Sequence, residues 1–232
     1  MTSSSSKKLI TFSLWGDDPK YCVGAVRNAG LAKKFYPGWI CRFYIARIPM
    51  HEQKPGLYTG GELAKTVDIL LGMEDVEVVM MDKPGDWTGM FWRFYPASED
   101  DVDVFISRDC DSRLCSREAD VVREWEAGPY LMHAMRDHPE HSVPILGGMW
   151  GAKKHAVPNM KELIDKWNKE DRWQTDQEFL RDVVWRHHYH KFLVHDDWNR
   201  FPIAKNMPFM DRRMDSDFIG SIIGPNEERL HP

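Results

Sequence analysis

Several absences narrow the class of this 232-residue chain before any motif is considered. Nowhere does an apolar run reach the roughly 18 residues of a membrane-spanning helix, so none is expected. The polar, Ser-rich lead from Met1 to Lys8 has no apolar core of a signal peptide and reads as disordered. No GxGxxG follows the first apolar run, which disfavours NAD and FAD, and the absence of GxxxxGK[ST] excludes the P-loop ATPases. Basic charge is short: the formal net charge is -5 and no basic stripe stands out, so nucleic acid is not an expected partner. Cysteine is scarce too. The 4 present (Cys22, Cys41, Cys110, Cys115) form no CxxC pair and read as reduced thiols of a cytoplasmic protein. Cys110 and Cys115 flank a polar loop without signalling a disulfide. Internal repeats and linkers are missing, which leaves one domain, with a polar tail over 225–232.

What is present is an ordinary globular composition, 42% hydrophobic and 29% charged, long enough for one large α/β domain with its own core. The 10 Trp exceed what such a core needs. Surplus Trp lines sites that stack flat rings or sugar faces, and core packing is the plainer alternative.

Periodicity orders the chain. Ile10 to Trp15 is a β-rich run broken by Gly16-Asp17-Asp18-Pro19. Cys22, Ala25, Val26, Ala29 and Ala32 recur at helical spacing until Tyr36-Pro37-Gly38, and Trp39 to Ala46 is a second strand. Strand, helix, strand is the signature of a parallel sheet. A Pro/Gly-rich loop follows between Arg47 and Gly61. Then come a helix over Glu62–Leu71, a strand over Val76–Met81, the aromatic segment Met90 to Tyr95 and a fourth strand over Val102–Ser107. Further on, a helix is expected over Ser116–Ala127, with strands over Tyr130–Met135 and Ile145–Trp150. A helix carrying Met160, Leu163, Ile164 and Trp167 precedes another, which Thr175 to Glu178 opens as a capping box. Lys191 to Val194 is a last short strand.

Ligands of open parallel sheets gather outside the carboxyl ends of the strands. Three polar clusters fall there: Gly16 to Pro19, Arg108 to Arg113, and Gly147 to Gly151. In the second, Asp109 and Asp111 are carboxylates one residue apart, able to share a hard cation such as Mn²⁺ or Mg²⁺. Such a cation neutralises a departing diphosphate. The alternative is a loop of Asx-turns paired with Arg108 and Arg113. His195 also follows an apolar strand and is a candidate imidazole ligand; a hydrogen-bonding surface residue is the alternative. The run His187, His188, His190 has no HExxH spacing and reads as a solvated helix end. His138, with His133 and His141, surrounds a loop where an acceptor could bind. Gly147 and Gly148 admit close backbone approach, with Trp150 as a stacking face; a bend in a strand is the alternative. Asp176 and Gln177 are expected at a helix N-terminus, facing outward, where they could hydrogen-bond sugar hydroxyls; Asp176 complementing the helix dipole is the alternative. Asp176 or Asp137 could act as a carboxylate base.

The ordered set LWGDDPKY, WRFYP, DCD, GGMWG, DQEFL and VHDDW resembles the GT-A glycosyltransferases. More closely, ITFSLWGDDPKY, SRDCDSR, MRDHPEH and ILGGMWG are similar to the amino-terminal glycosyltransferase domain of a chlorovirus protein that builds capsid glycan. The resemblance spans about Ile10 to His195. It implies a GT-A, Rossmann-like α/β domain over 9–224, with a mixed, mostly parallel sheet flanked by helices. It also implies a nucleotide-sugar donor, a UDP-sugar in this family, and a glycan or glycoprotein acceptor. In this family's pattern Asp109 and Asp111 hold the metal, with Asp111 the direct ligand and Asp109 at ribose or the ion's water shell. Leu14, Trp15 and Gly16 would cradle the nucleotide, Arg93 and Arg108 would face base or phosphate, and Gly147 and Gly148 would lie under the donor sugar. Asp176-Gln177 resembles the DQ pair beside the reacting sugar in retaining members. His195 resembles their late metal-binding His, although the KPW-type ending is missing. Two other readings stay open. One is a phosphohydrolase with an aspartyl nucleophile; the other is a non-catalytic module that binds sugar nucleotides or glycans.

Overall fold

The computed structural model describes residues 6–47, 53–54, 57–58, 61–83, 85–167, 174–211, 213 and 218–230. Most of the expected Pro/Gly-rich loop between Arg47 and Gly61, and most of the amino-terminal lead, lie outside the described residues. Lys7 is held in place, its amide donating to Asp103 Oδ2 at 2.9 Å.

The chain begins β1 (Lys8–Leu14), α1 (Pro19–Phe35), β2 (Ile40–Ile45), a two-residue antiparallel pair β3 (Gln53–Lys54) and β4 (Leu57–Tyr58), α2 (Glu62–Leu71) and β5 (Val76–Met80). A 3₁₀ helix over Trp87–Ser98 leads into β6 (Val104–Ser107), α3 (Ser116–Ala127), β7 (Met132–Arg136) and β8 (Trp150–Lys153). Then follow α4 (Met160–Lys166) and α5 (Thr175–Phe179). A π-helical turn (Leu180–Trp185) and α6 (Arg186–His188) continue α5, and β9 (Phe192–Asp196) and β10 (Lys205–Met207) complete the sheet.

The eight-stranded sheet has the order β10-β9-β7-β8-β6-β1-β2-β5. Every described neighbour pair is parallel except the two that β8 makes, with β6 and β7. This is the mixed, mostly parallel, helix-flanked sheet of the GT-A architecture. Period-two side chains of the central strands feed two layers. Ile10, Phe12, Val104 and Ile106 pack with α1, α2 and α3, whereas Leu9 and Phe105 pack with the 3₁₀ helix, α4 and α5.

α1 starts where Asp18 accepts a hydrogen bond from the Lys20 amide at 2.8 Å, with Pro19 at its first position. It ends before Gly38, whose φ of 82° suits a residue without Cβ. Asp17 serves the other helix of this layer, accepting from the Leu63 amide at the start of α2 at 2.9 Å.

Two sequence expectations fail locally. Residues 145–149 form a turn, and the strand starts only at Trp150. The reason is tertiary: the Gly147 carbonyl is drawn to Ser107 Oγ at 2.7 Å, so this segment caps β6 before β8 turns back along it. Thr175 is not the cap of its helix either. Gln174 takes the N-cap position at φ 65°, and Thr175 is the first helical residue, its buried Oγ1 without a hydrogen-bond partner.

Candidate functional site

Because β8 runs against its neighbours, its amino end lies at the edge where β1 and β6 have their carboxyl ends. The third polar cluster therefore reaches the site from the start of a strand, not from its end. Gly147 and Gly148 sit against the loop after β6. A Cβ at Gly147 would strike Asp176 and Arg93, and one at Gly148 would strike Asp109. The double glycine is thus a floor for charged side chains.

Arg93 is the knot of the site. Its Nη1 is paired with Asp109 Oδ1 and its Nη2 lies 3.0 Å from Asp176 Oδ2. The 3₁₀ helix that carries it is fastened across β1: Thr11 Oγ1 donates to the Arg93 carbonyl at 2.7 Å, and the Arg93 amide donates to Ser13 Oγ at 3.1 Å. Burial opposes the Arg93 charge, but Asp109 and Asp176 outweigh it and hold its pKa above the usual range. Asp176 is buried, which corrects the expectation of an outward-facing residue. Burial pushes its carboxyl up against the opposing pull of Arg93. Gln177 beside it is half-buried.

The two loop aspartates differ. The Asp109 side chain is 41% exposed, whereas that of Asp111 is 13% exposed and lies 3.2 Å from Lys20 Nζ. Burial and the neighbouring Asp109 charge raise the Asp111 pKa, with Lys20 pulling the other way. α1 pins the loop from behind. Asn28 donates to the Ser112 carbonyl at 2.9 Å and accepts from the Leu114 amide at 3.0 Å, and Gly24 lets the helix touch the Cys110 carbonyl. The four cysteines are free thiols.

Other candidates are placed elsewhere. Arg108 is buried and turned inward, its Nε 3.2 Å from Glu118 Oε1, which also accepts from the Tyr36 hydroxyl at 2.7 Å. Buried and paired with Glu118, it is not exposed towards a nucleotide. Trp150 is fully buried between Phe94 and Phe105, so it is a core ring and not a stacking platform. Asp137 is fully buried, accepting from Arg117 at 3.0 and 2.8 Å and from the Ile219 amide at 3.0 Å. Its lone pairs are committed, which removes it as a base. His195 is engaged at both nitrogens, 2.8 Å from His133 Nε2 and 3.2 Å from Glu124 Oε2. It is not gathered with the aspartates, and no group of three or more metal-ligating side chains occurs among the described residues. His138 lies partly exposed against Phe218, ring centroids 4.3 Å apart. Leu14 is a core residue, so the nucleotide could meet only its backbone. Trp15 is half-buried, edge-on to Trp92, and Gly16 follows at φ 73°.

Several contributors carry little or no signal in the sequence. Lys20 stands over the Tyr21 ring at 4.3 Å and reaches Asp111; its only sequence signal is its place just after the first strand-end loop. Gly24 and Asn28 looked like ordinary helix residues. The carboxyl-terminal segment returns to the loop after β6, where the Ile223 amide donates to the Asp111 carbonyl at 2.7 Å. Arg113 holds the same segment through Glu227, at 3.1 Å. No local pattern encodes contacts at such separation.

No family model and no curated protein matches the sequence. Among solved structures the chain is similar to a glycosyltransferase involved in the glycosylation of the major capsid of PBCV-1. The identity is 15% and the TM-score 0.51, over 82% of this chain and 81% of that one. It is also similar to the apo structure of the bifunctional glycosyltransferase WbbM, at 13% identity and TM-score 0.47, over 83% of this chain and 39% of that one. A third similar structure is the 4-diphosphocytidyl-2C-methyl-D-erythritol synthase of Anaerococcus prevotii DSM 20548. There the identity is 9% and the TM-score 0.49, over 84% of this chain and 91% of that one. The first likeness shows a GT-A-like fold. Among the described residues no helix is long and apolar enough to cross a membrane.

Proposed function

We propose that the protein is a metal-dependent glycosyltransferase, moving a hexose or deoxyhexose from a UDP-sugar to a glycan or glycoprotein acceptor with retention of configuration. One observation carries the reading: two carboxylates of opposite exposure share one loop at the edge where the strands deliver their carboxyl ends, above a floor of two glycines. The like charges are held close enough for Asp109 to raise the Asp111 pKa. Such a pair suits a hard divalent cation, since Mg²⁺ sites take one or two carboxylates and complete their shell with water and substrate phosphates. Asp109 and Asp111 would hold that ion, Mn²⁺ or Mg²⁺. When bound, it supplies counter-charge to the leaving diphosphate.

The chain's own groups have separate tasks in this reading. Arg93 fixes Asp109 and Asp176 to one another, so that the loop and the start of α5 keep a single spacing. Asp176, packed against Gly147 and held by Arg93, would stand beside the reacting sugar, with Gln177 next to it. The backbone at Leu14 to Gly16, with Trp15, borders the nucleotide. His195, committed to His133 and Glu124, has no ligand role in this proposal. An aspartyl nucleophile is supported less, because Arg93 engages Asp109.

The test is a thermal-shift panel of nucleotide-sugars with and without Mn²⁺, since a ligand of the native state raises its stability by mass action. UDP and the true donor should raise the melting temperature appreciably more with Mn²⁺ than without. Asp111→Ala should abolish the difference and stay folded. A shift from UDP that is the same with and without the metal would sink the proposal.

A further inference from the structure

Each loop aspartate carries a cation of the chain itself, and the two cations are held in different ways. Arg93 is buried, bonded at once to Asp109, Asp176 and the Arg108 carbonyl, with its backbone tied to β1. It cannot leave without dismantling the site. Lys20 stands in the first turn of α1, and its ammonium meets only Asp111 among the ion pairs of the described residues. Beneath it lies the Tyr21 ring, itself 36% exposed. A four-carbon stem and a compact ammonium with rotatable donors make lysine a mobile point charge.

We propose that Lys20 is the exchangeable counter-ion of the site. It neutralises Asp111 while the site is empty, and it passes to the diphosphate when a divalent cation and a nucleoside diphosphate bind together. The inference rests on the metal reading above. A dication arriving alone must take Asp111 from an ammonium already in contact with it, and the two positive charges then repel. A diphosphate removes the conflict, because its oxygens accept the displaced ammonium as a charge-assisted partner. Metal and nucleotide therefore favour one another, and the coupling is reciprocal.

The experiment compares the parent protein with Lys20→Gln. Mn²⁺ binding is read without nucleotide from the loss of the free-ion EPR signal, and UDP affinity is then read at saturating Mn²⁺ by calorimetry. Lys20→Gln should bind Mn²⁺ alone about tenfold more tightly and UDP with Mn²⁺ about tenfold more weakly, within the usual range of coupling. Lys20→Arg, which keeps the charge, should return Mn²⁺ affinity towards the parent value. Equal Mn²⁺ affinities in the parent and Lys20→Gln would overturn the exchange and leave the metal reading standing. No Mn²⁺ binding by either protein, with or without UDP, would overturn both.

Discussion

The carboxylates at two places along the sheet edge, one after β7 and β9 and one after β6, look alike in sequence and behave oppositely in the fold. At β7 and β9 they are sealed: Arg136 and Asp196 are both 0% exposed and 2.8 Å apart, and Asp137 is enclosed by Arg117. Asp196 also accepts from the Trp198 and Arg200 amides at 2.8 and 3.2 Å, so its lone pairs are spent on structure. After β6 the pair is less enclosed: Asp109 meets Arg93 but keeps 41% of its side chain exposed, and Asp111 is countered by Lys20 alone among the ion pairs of the described residues. A carboxylate serves a ligand most readily where part of it stays exposed or its partner can be exchanged. The enclosed group fastens strands, and the partly exposed pair is the one placed for chemistry.

The largest effect should come from breaking the enclosed group. Asp196→Ala leaves the Arg136 charge buried without a counter-charge, a loss of about 3–5 kcal/mol. For a domain of this size that lowers the melting temperature by about 10 °C. An unchanged melt would mean that the pair does not hold β7 to β9.

Acid should separate the two places next. Burial, and after it the His138 charge, depress the His141 pKa from 6.5 to about 4, and burial likewise depresses His133 and His195. The unfolded chain then binds more protons, so stability is lost as pH falls from about 6.5 towards about 4. Asp111 and Asp176 have raised pKa values and act in the opposite sense, the folded state gaining as they protonate. Denaturant titrations across this window should show a net fall. His141→Gln should recover roughly 2 kcal/mol of it. If His141→Gln loses as much stability as the parent, the acid response belongs to other groups.

The smallest contrast is the most direct. Asp137→Asn weakens charge-assisted bonds to Arg117 and should cost about 1–2 kcal/mol. Asp111→Asn removes a charge that burial and Asp109 disfavour, so its melting temperature should hold or rise slightly. Equal losses from the two substitutions would erase the distinction between structural and available carboxylates.

Much of the fold was legible because its signals are local. The helices at Glu62–Leu71 and Ser116–Ala127 lie where periodicity and breakers placed them, and β1, β2, β5 and β6 agree to within a few residues. Misreadings arose where a distant contact overrode a local pattern. The 145–150 run is apolar enough for a strand, yet Ser107 and the side chains packed against Gly147 and Gly148 keep its first five residues out of the strand. Thr175 has a capping residue's chemistry, but it is drawn into the interior. Asp176 was expected at the surface because the start of a helix is usually solvated, and Arg93 instead draws it in from a segment 83 residues away.

By itself the sequence determined the βαβ opening, the alternation of apolar strands with amphipathic helices, and the delivery of Asp109 and Asp111 by the end of an apolar strand. Those depend on residues within one turn or one pleat of each other. Only the tertiary structure decided that β8 runs backwards and brings two glycines beneath the loop. It also decided that Arg108, Trp150, Asp137 and His195 are committed to the interior, and that Lys20 faces Asp111. Burial and partner choice depend on what the rest of the chain brings alongside, and for a charged side chain these settle whether it braces the fold or remains free to bind.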